Sequence, residues 1–101
     1  MTDLPVACTL GPAALKARRE GLLTDLWRRA DRHEELADGH RLRFAAADDT
    51  LELISRAIDA ERRCCRFLRF RVTVEPDEGP IVLELTGPEG TRDFLSALIA
   101  S

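Results

Sequence analysis

A chain of 101 residues, 45% hydrophobic and 33% charged, is long enough for one domain around one core and too apolar for disorder. The formal net charge is −3, tyrosine is absent, and Trp27 and four Phe are the only aromatic rings, which argues against nucleic acid as a partner. No run approaches the roughly 20 apolar residues of a membrane span, and the acidic start from Met1 to Pro5 does not read as a signal peptide.

The elements can be taken in chain order over a single domain, residues 1–101. Val6 to Leu10 reads as a short strand with Val6, Cys8 and Leu10 on one face. Gly11-Pro12 breaks it and opens a helix expected to run to about His33, with Leu15, Leu22, Leu23, Leu26 and Ala30 on one side. Asp38-Gly39 is a turn. His40 to Phe44 is a second strand, Leu42 and Phe44 inward and Arg41 and Arg43 outward. Asp48, Asp49 and Thr50 are N-cap candidates for a second helix expected to reach about Leu68. Phe70, Val72 and Val74 alternate with Arg71, Thr73 and Glu75 as a third strand. Pro76 to Pro80 is a hairpin loop, and Ile81, Leu83 and Leu85 mark a fourth strand. Gly87-Pro88-Glu89-Gly90 turns into a last helix with Phe94, Leu95 and Leu98. The order β-α-β-α-β-β-α predicts an α/β (α+β) two-layer sandwich: a four-stranded mixed sheet with helices on one face.

The second helix carries the unusual signal. At about 100° per residue, one stripe holds Ile54, Ala57, Ile58, Glu61, Cys64, Cys65 and Leu68, while the far side holds Glu52, Ser55, Arg56, Asp59, Arg62, Arg63 and Arg66. Glu61 falls at the centre of the apolar stripe, and Cys64 and Cys65 are its neighbours three and four positions on. A carboxylate in that place is costly unless paired, hydrogen-bonded or protonated. Arg19 falls mid-stripe on the first helix and is the expected partner. Cys8, on the core side of strand one just before a helix N-terminus, supplies a third thiol.

Three cysteines, two of them adjacent, are an odd count that suits free thiols in a reducing cytoplasm better than a disulfide framework. Three thiols beside a carboxylate suit a soft metal ion: Hg(II), Cu(I), As(III), or Zn(II) with a fourth ligand. Cysteine is also a small hydrophobe, so core packing is the plain alternative. His33 and His40 flank a polar loop without ligand spacing to the cysteines and read as solvated surface residues. The loop before the last helix lacks the lysine and spacing of a phosphate loop and reads as a turn with an N-cap.

The strings Ala7-Cys8-Thr9-Leu10, Glu61-Arg62-Arg63-Cys64-Cys65 with Phe67-Leu68, and Leu83-Glu84-Leu85-Thr86-Gly87-Pro88-Glu89-Gly90-Thr91 resemble a family of small uncharacterised bacterial proteins loosely associated with heavy-metal, particularly mercury, resistance. Where that family is expected to have proline after the double cysteine, this chain has Arg66, which implies a longer second helix. The element order is also similar to that of small bacterial sulfur carriers, whose Cys-Pro-x-Pro motif is missing after Cys8. The expectation is a cytoplasmic soft-metal-binding protein with Cys8, Cys64, Cys65 and Glu61 as ligands and Arg19 in support. A thiol redox enzyme or sulfur carrier using the same thiols, and an interaction module with core cysteines, are the alternatives. A small core and a sheet with open edges also make a homodimer a reasonable expectation.

Overall fold

The computed structural model describes residues 21–47 and 49–100. In chain order these form α1 (Leu22–Arg29), β1 (Arg32–Leu36), β2 (Gly39–Phe44), α2 (Thr50–Cys64), β3 (Arg69–Val74), β4 (Ile81–Thr86) and α3 (Thr91–Ala100). The protein is α+β, with a four-stranded sheet ordered β1-β2-β4-β3. The strand expected at Val6 to Leu10 lies outside the described residues.

Three expectations are corrected. The first helix stops at Arg29 rather than about His33, and Arg32–Leu36 is a strand. Ala30 is already extended (φ −62°, ψ 131°), and the Asp31 N–H donates to the Arg43 carbonyl at 2.8 Å, so the chain has joined the sheet before His33. Cross-strand pairing of Arg32–Leu36 with Gly39–Arg43 about a turn at Ala37-Asp38, Gly39 being already the first residue of β2 rather than part of the turn, overrides the helix preference of Glu34, Glu35 and Leu36. Among the described residues the sheet is also antiparallel rather than mixed. β2 and β3 run the same way, but β4, joined to β3 by a hairpin, lies between them, and every described pairing is antiparallel. Finally, α2 ends at Cys64 rather than about Leu68. Cys65 leaves the helix (φ −111°, ψ 79°), and the Leu68 N–H closes a turn onto the Cys65 carbonyl at 3.1 Å. That turn buries both Cys65 and Phe67. Two positions apart, they could not share one face of a continuing helix.

The core gathers Leu42 and Phe44 of β2 and Ile81, Leu83 and Leu85 of β4 against Leu23 and Leu26 of α1, Ile54 and Ala57 of α2, and Leu95 of α3. The sheet residues are every second one, as pleating requires. Their neighbours Arg41 and Glu84 face the other way and pair at 3.0 Å, with Glu34 on the same arginine at 3.1 Å. Asp49 caps α2 without a side-chain bond to its backbone. Its carboxylate takes Arg29 at 3.0 Å instead and ties the end of α1 to the start of α2. Arg29 in turn holds the Asp49 carboxyl below the usual range, first by that hydrogen bond and then by its charge.

β2 and β4 approach closely at Gly39, which faces Thr86; a Cβ there would run into the Leu85 carbonyl, so no other residue fits without moving β4. The β3–β4 loop turns through Asp77 and Glu78, both left-handed (φ 57° and 55°), with the Gly79 N–H donating to the Pro76 carbonyl at 3.0 Å. No helix among the described residues is long and apolar enough to cross a membrane.

Candidate thiol–carboxylate site

The apolar stripe of α2 is the buried one. Ile54, Ala57, Glu61 and Cys65 are 0%, 2%, 2% and 0% exposed, whereas Arg56, Asp59, Arg62, Arg63 and Arg66 face solvent. A helical run brings residue i+4 over residue i. Here the Cys65 Sγ–H donates to Glu61 Oε2 at 3.6 Å, and the Cys65 backbone N–H donates to the Glu61 carbonyl at 2.6 Å. Cys65 is a buried thiol. It packs with Phe67 against Leu68 and Phe94, and the Phe67 and Phe94 rings meet edge to face with centroids 5.3 Å apart. This aromatic wall keeps water from the thiol and the carboxylate, which strengthens every electrostatic interaction between them.

Such a pair has a defined chemistry. The thiolate, not the thiol, is the nucleophile and metal ligand, and a carboxylate at the S–H is a built-in acceptor for its proton. Of the other expected site residues, Cys8 and Arg19 lie outside the described residues, as does the Cys64 side chain. Among the described residues, no group of three or more His, Cys, Asp or Glu side chains is placed to hold a metal ion. Cys65 and Glu61 therefore supply two donors, fewer than the three or four a closed soft-ion site uses.

A second buried polar cluster was missed from the sequence. His40, expected at the surface, is 1% exposed, while His33 does lie in solvent contact. The hairpin sets Glu35 opposite His40 and His33 opposite Leu42, so both β1 side chains share the face of His40. His33 Nε2 meets His40 Nδ1 at 2.8 Å, and His40 Nε2 lies 3.2 Å from the Arg92 carbonyl and 3.2 Å from Ser96 Oγ. The Arg92 carbonyl can only accept, so it calls for a proton on His40 Nε2; Nδ1 then accepts from the His33 Nε2–H. The Ser96 O–H donates to the same Arg92 carbonyl at 2.9 Å. Trp27 stands edge-on to both imidazoles, its centroid 5.2 Å from each. Burial lowers the His40 pKa below 6.5, the Arg92 carbonyl opposes that shift, and His33, Glu35 and Arg92 add smaller charge effects. The signal that could have found this cluster is the Asp-Gly turn, which implies a strand before it as well as after it.

The fold and site thus define a small α+β protein with a buried thiol–carboxylate pair at the end of its central helix. Compared with known protein families, curated proteins and solved structures, the chain matches none.

Proposed function

We propose that this two-layer protein binds a soft cation of the Hg(II), Cu(I), As(III) or Zn(II) type through Cys65, Cys64 and Cys8, with Glu61 receiving the proton that the ion displaces from Cys65. The observation behind this reading is the 3.6 Å contact between the buried Cys65 thiol and the buried Glu61 carboxylate. Core packing alone gives no reason to place a carboxylate there, because an apolar residue of similar size would fill the space without desolvation cost. Proton transfer resolves the cost of metallation: the S–H bond breaks, the sulfur–metal bond forms, and Glu61 takes the proton inside the core. Two donors do not close the site, so Cys64 and Cys8 complete the set in this proposal, and the resemblance to an uncharacterised family loosely associated with heavy-metal resistance points the same way.

A thiol redox reading uses the same contact, with Glu61 as the base for a nucleophilic Cys65. Complete burial of Cys65 favours the ion. Disulfide exchange needs a second sulfur to approach in line, whereas an ion needs only donors that close around it. Native mass spectrometry of the reduced protein with each ion alone, beside Cys8→Ser, Cys64→Ser, Cys65→Ser and Glu61→Gln, is the test. Retention of one ion per chain or per dimer, weakened in every cysteine variant, is the expected result. No retained ion, or unchanged retention in Cys65→Ser, would overturn the proposal.

A further inference from the structure

The two edges of the sheet are chemically unlike. β1 presents Arg32, His33, Glu34 and Glu35 in succession, a charged edge of the kind that discourages further strands. β3 reads Arg69-Phe70-Arg71-Val72-Thr73-Val74, and among the described residues it pairs only with β4. Phe70, Val72 and Val74 lie opposite Leu85, Leu83 and Ile81, on the face that carries the core. Yet Val72 and Val74 are 37% and 56% exposed.

Backbone parity gives this edge a direction. The Glu75 N–H donates to the Pro80 carbonyl at 3.2 Å, so Glu75 and every second residue before it turn their amides towards β4. Phe70, Val72 and Val74 therefore turn their N–H and C=O groups outward. The same residues that show apolar side chains also offer hydrogen-bonding positions that no other described strand fills.

We infer that β3 is the interface of a homodimer, in which two copies pair β3 antiparallel about a twofold axis at Val72 and join their sheets into one. In that register Val72 faces its own copy, and Phe70 of one chain faces Val74 of the other. Each of these pairs exchanges both backbone hydrogen bonds, because all three residues are outward-directed. Their side chains fall together on the core face and cover one another. On the opposite face Arg69 of one chain lies against Glu75 of the other, an ion pair formed twice by symmetry, and Arg71 lies against Thr73. The two Arg71 side chains share one diagonal, but Glu75 occupies the other and Glu84 is the cross-strand neighbour within each chain.

Neighbouring registers do worse. Moving the axis to Arg71 sets that arginine directly against its copy. Moving it to Thr73 sets Phe70 against Pro76, which has no N–H to give. A slip that changes parity would turn the apolar side chains of one copy to the wet face of the other. The strand is self-complementary in one register, and its occupant is a second copy of this chain.

The test is sedimentation of the full chain across a concentration series, with amide exchange at β3 measured on the same samples. A dimer at micromolar concentration is expected, with the Phe70, Val72 and Val74 amides protected in the dimer and fast on dilution to monomer. Val72→Lys keeps a part-exposed position folded and should give a monomer with an unchanged circular dichroism spectrum. Arg69→Glu should weaken the dimer, and adding Glu75→Arg should restore it, which tests the register itself. A wild-type monomer at every concentration, or a dimer that survives both Val72→Lys and Arg69→Glu, overturns the inference. So does β3 protection that persists in the monomer, which would place another segment of the same chain on the edge.

Discussion

Glu61 and His40 are both polar side chains sealed into the interior, 2% and 1% exposed, and the contacts described for them differ in kind. His40 is gripped from three elements. His33 of β1 reaches one ring nitrogen, the Arg92 carbonyl and Ser96 of α3 reach the other, and Trp27 of α1 stands against the ring. Both nitrogens are engaged by neutral partners, so the cluster is complete with the proton count it has, and it joins the β1–β2 hairpin to two helices. Glu61 meets Cys65 within a single turn of the same chain segment, through a long, soft S–H contact. A saturated network specifies one packing; a carboxylate facing an ionisable thiol specifies a place where a proton can move.

Replacing each side chain should expose that difference, and the largest effect belongs to the histidine. His40→Ala removes a ring at the junction of the hairpin and two helices, leaves the His33 N–H without its partner and takes from the Arg92 carbonyl one of its donors, the Ser96 O–H remaining. A loss of about 2–4 kcal/mol in urea unfolding is expected, from cavity and unsatisfied groups together. Glu61→Gln keeps the shape and an acceptor oxygen, so its stability change should stay near 1 kcal/mol, while retention of a soft ion falls and proton release on binding rises. A Glu61→Gln loss as large as that of His40→Ala, with ion binding untouched, would make the carboxylate a structural group like the histidine and erase the contrast.

The thiol–carboxylate site was legible because it lies within one element. Helical geometry alone puts Glu61, Cys65, Ile54 and Ala57 on one face, and no tertiary information is needed to see a carboxylate among apolar residues. The histidine cluster was not, because it depends on a strand that the local pattern hides. Arg32-His33-Glu34-Glu35-Leu36 carries good helix formers and continues the run of α1 without a break, so its strand character comes from pairing with β2 and not from propensity. The mixed sheet was expected from the crossover that a first strand at Val6 to Leu10 implies, whereas the strand found beside β2 is Arg32–Leu36, joined to it by a hairpin and antiparallel. Leu42 and Phe44 were placed inward correctly, because two-residue alternation survives any rearrangement of neighbouring strands.

Titration sharpens the same comparison. The folded state holds His40 below its ordinary value of 6.5, chiefly by burial. Between the two values the unfolded chain carries the proton and the folded chain does not, so stability rises with pH there. The contribution is whole above 6.5, declines as pH falls below it, and is gone once the lowered folded value is passed. A second effect has the same sign. His33 Nε2 and His40 Nδ1 are 2.8 Å apart and hold one proton between them, so protonating both facing nitrogens forces the rings apart. Urea midpoints of the wild type should therefore fall from pH 7 to pH 5 more steeply than those of a His40→Gln variant. Equal slopes would mean that the ring is not confined as described.

Ser96→Ala should have the smallest effect and is the most exacting check on the protonation state. Ser96 is a surface residue of α3, and its hydroxyl touches both His40 Nε2, at 3.2 Å, and the Arg92 carbonyl, at 2.9 Å. If Nε2 carries its proton, as the Arg92 carbonyl requires, the serine oxygen is a shared second acceptor, and removing it leaves the histidine donor satisfied. The cost should then be about 0.5 kcal/mol, offset in part by the better helix propensity of alanine, and the His40 titration followed by NMR should hardly move. If instead the serine O–H donated to a bare Nε2, the substitution would strip the buried nitrogen of its donor and visibly displace that titration. The size of one small perturbation thus reads out where a single proton sits in the core, and with it whether the histidine pair is a closed structural network or one that could pass a proton to the surface.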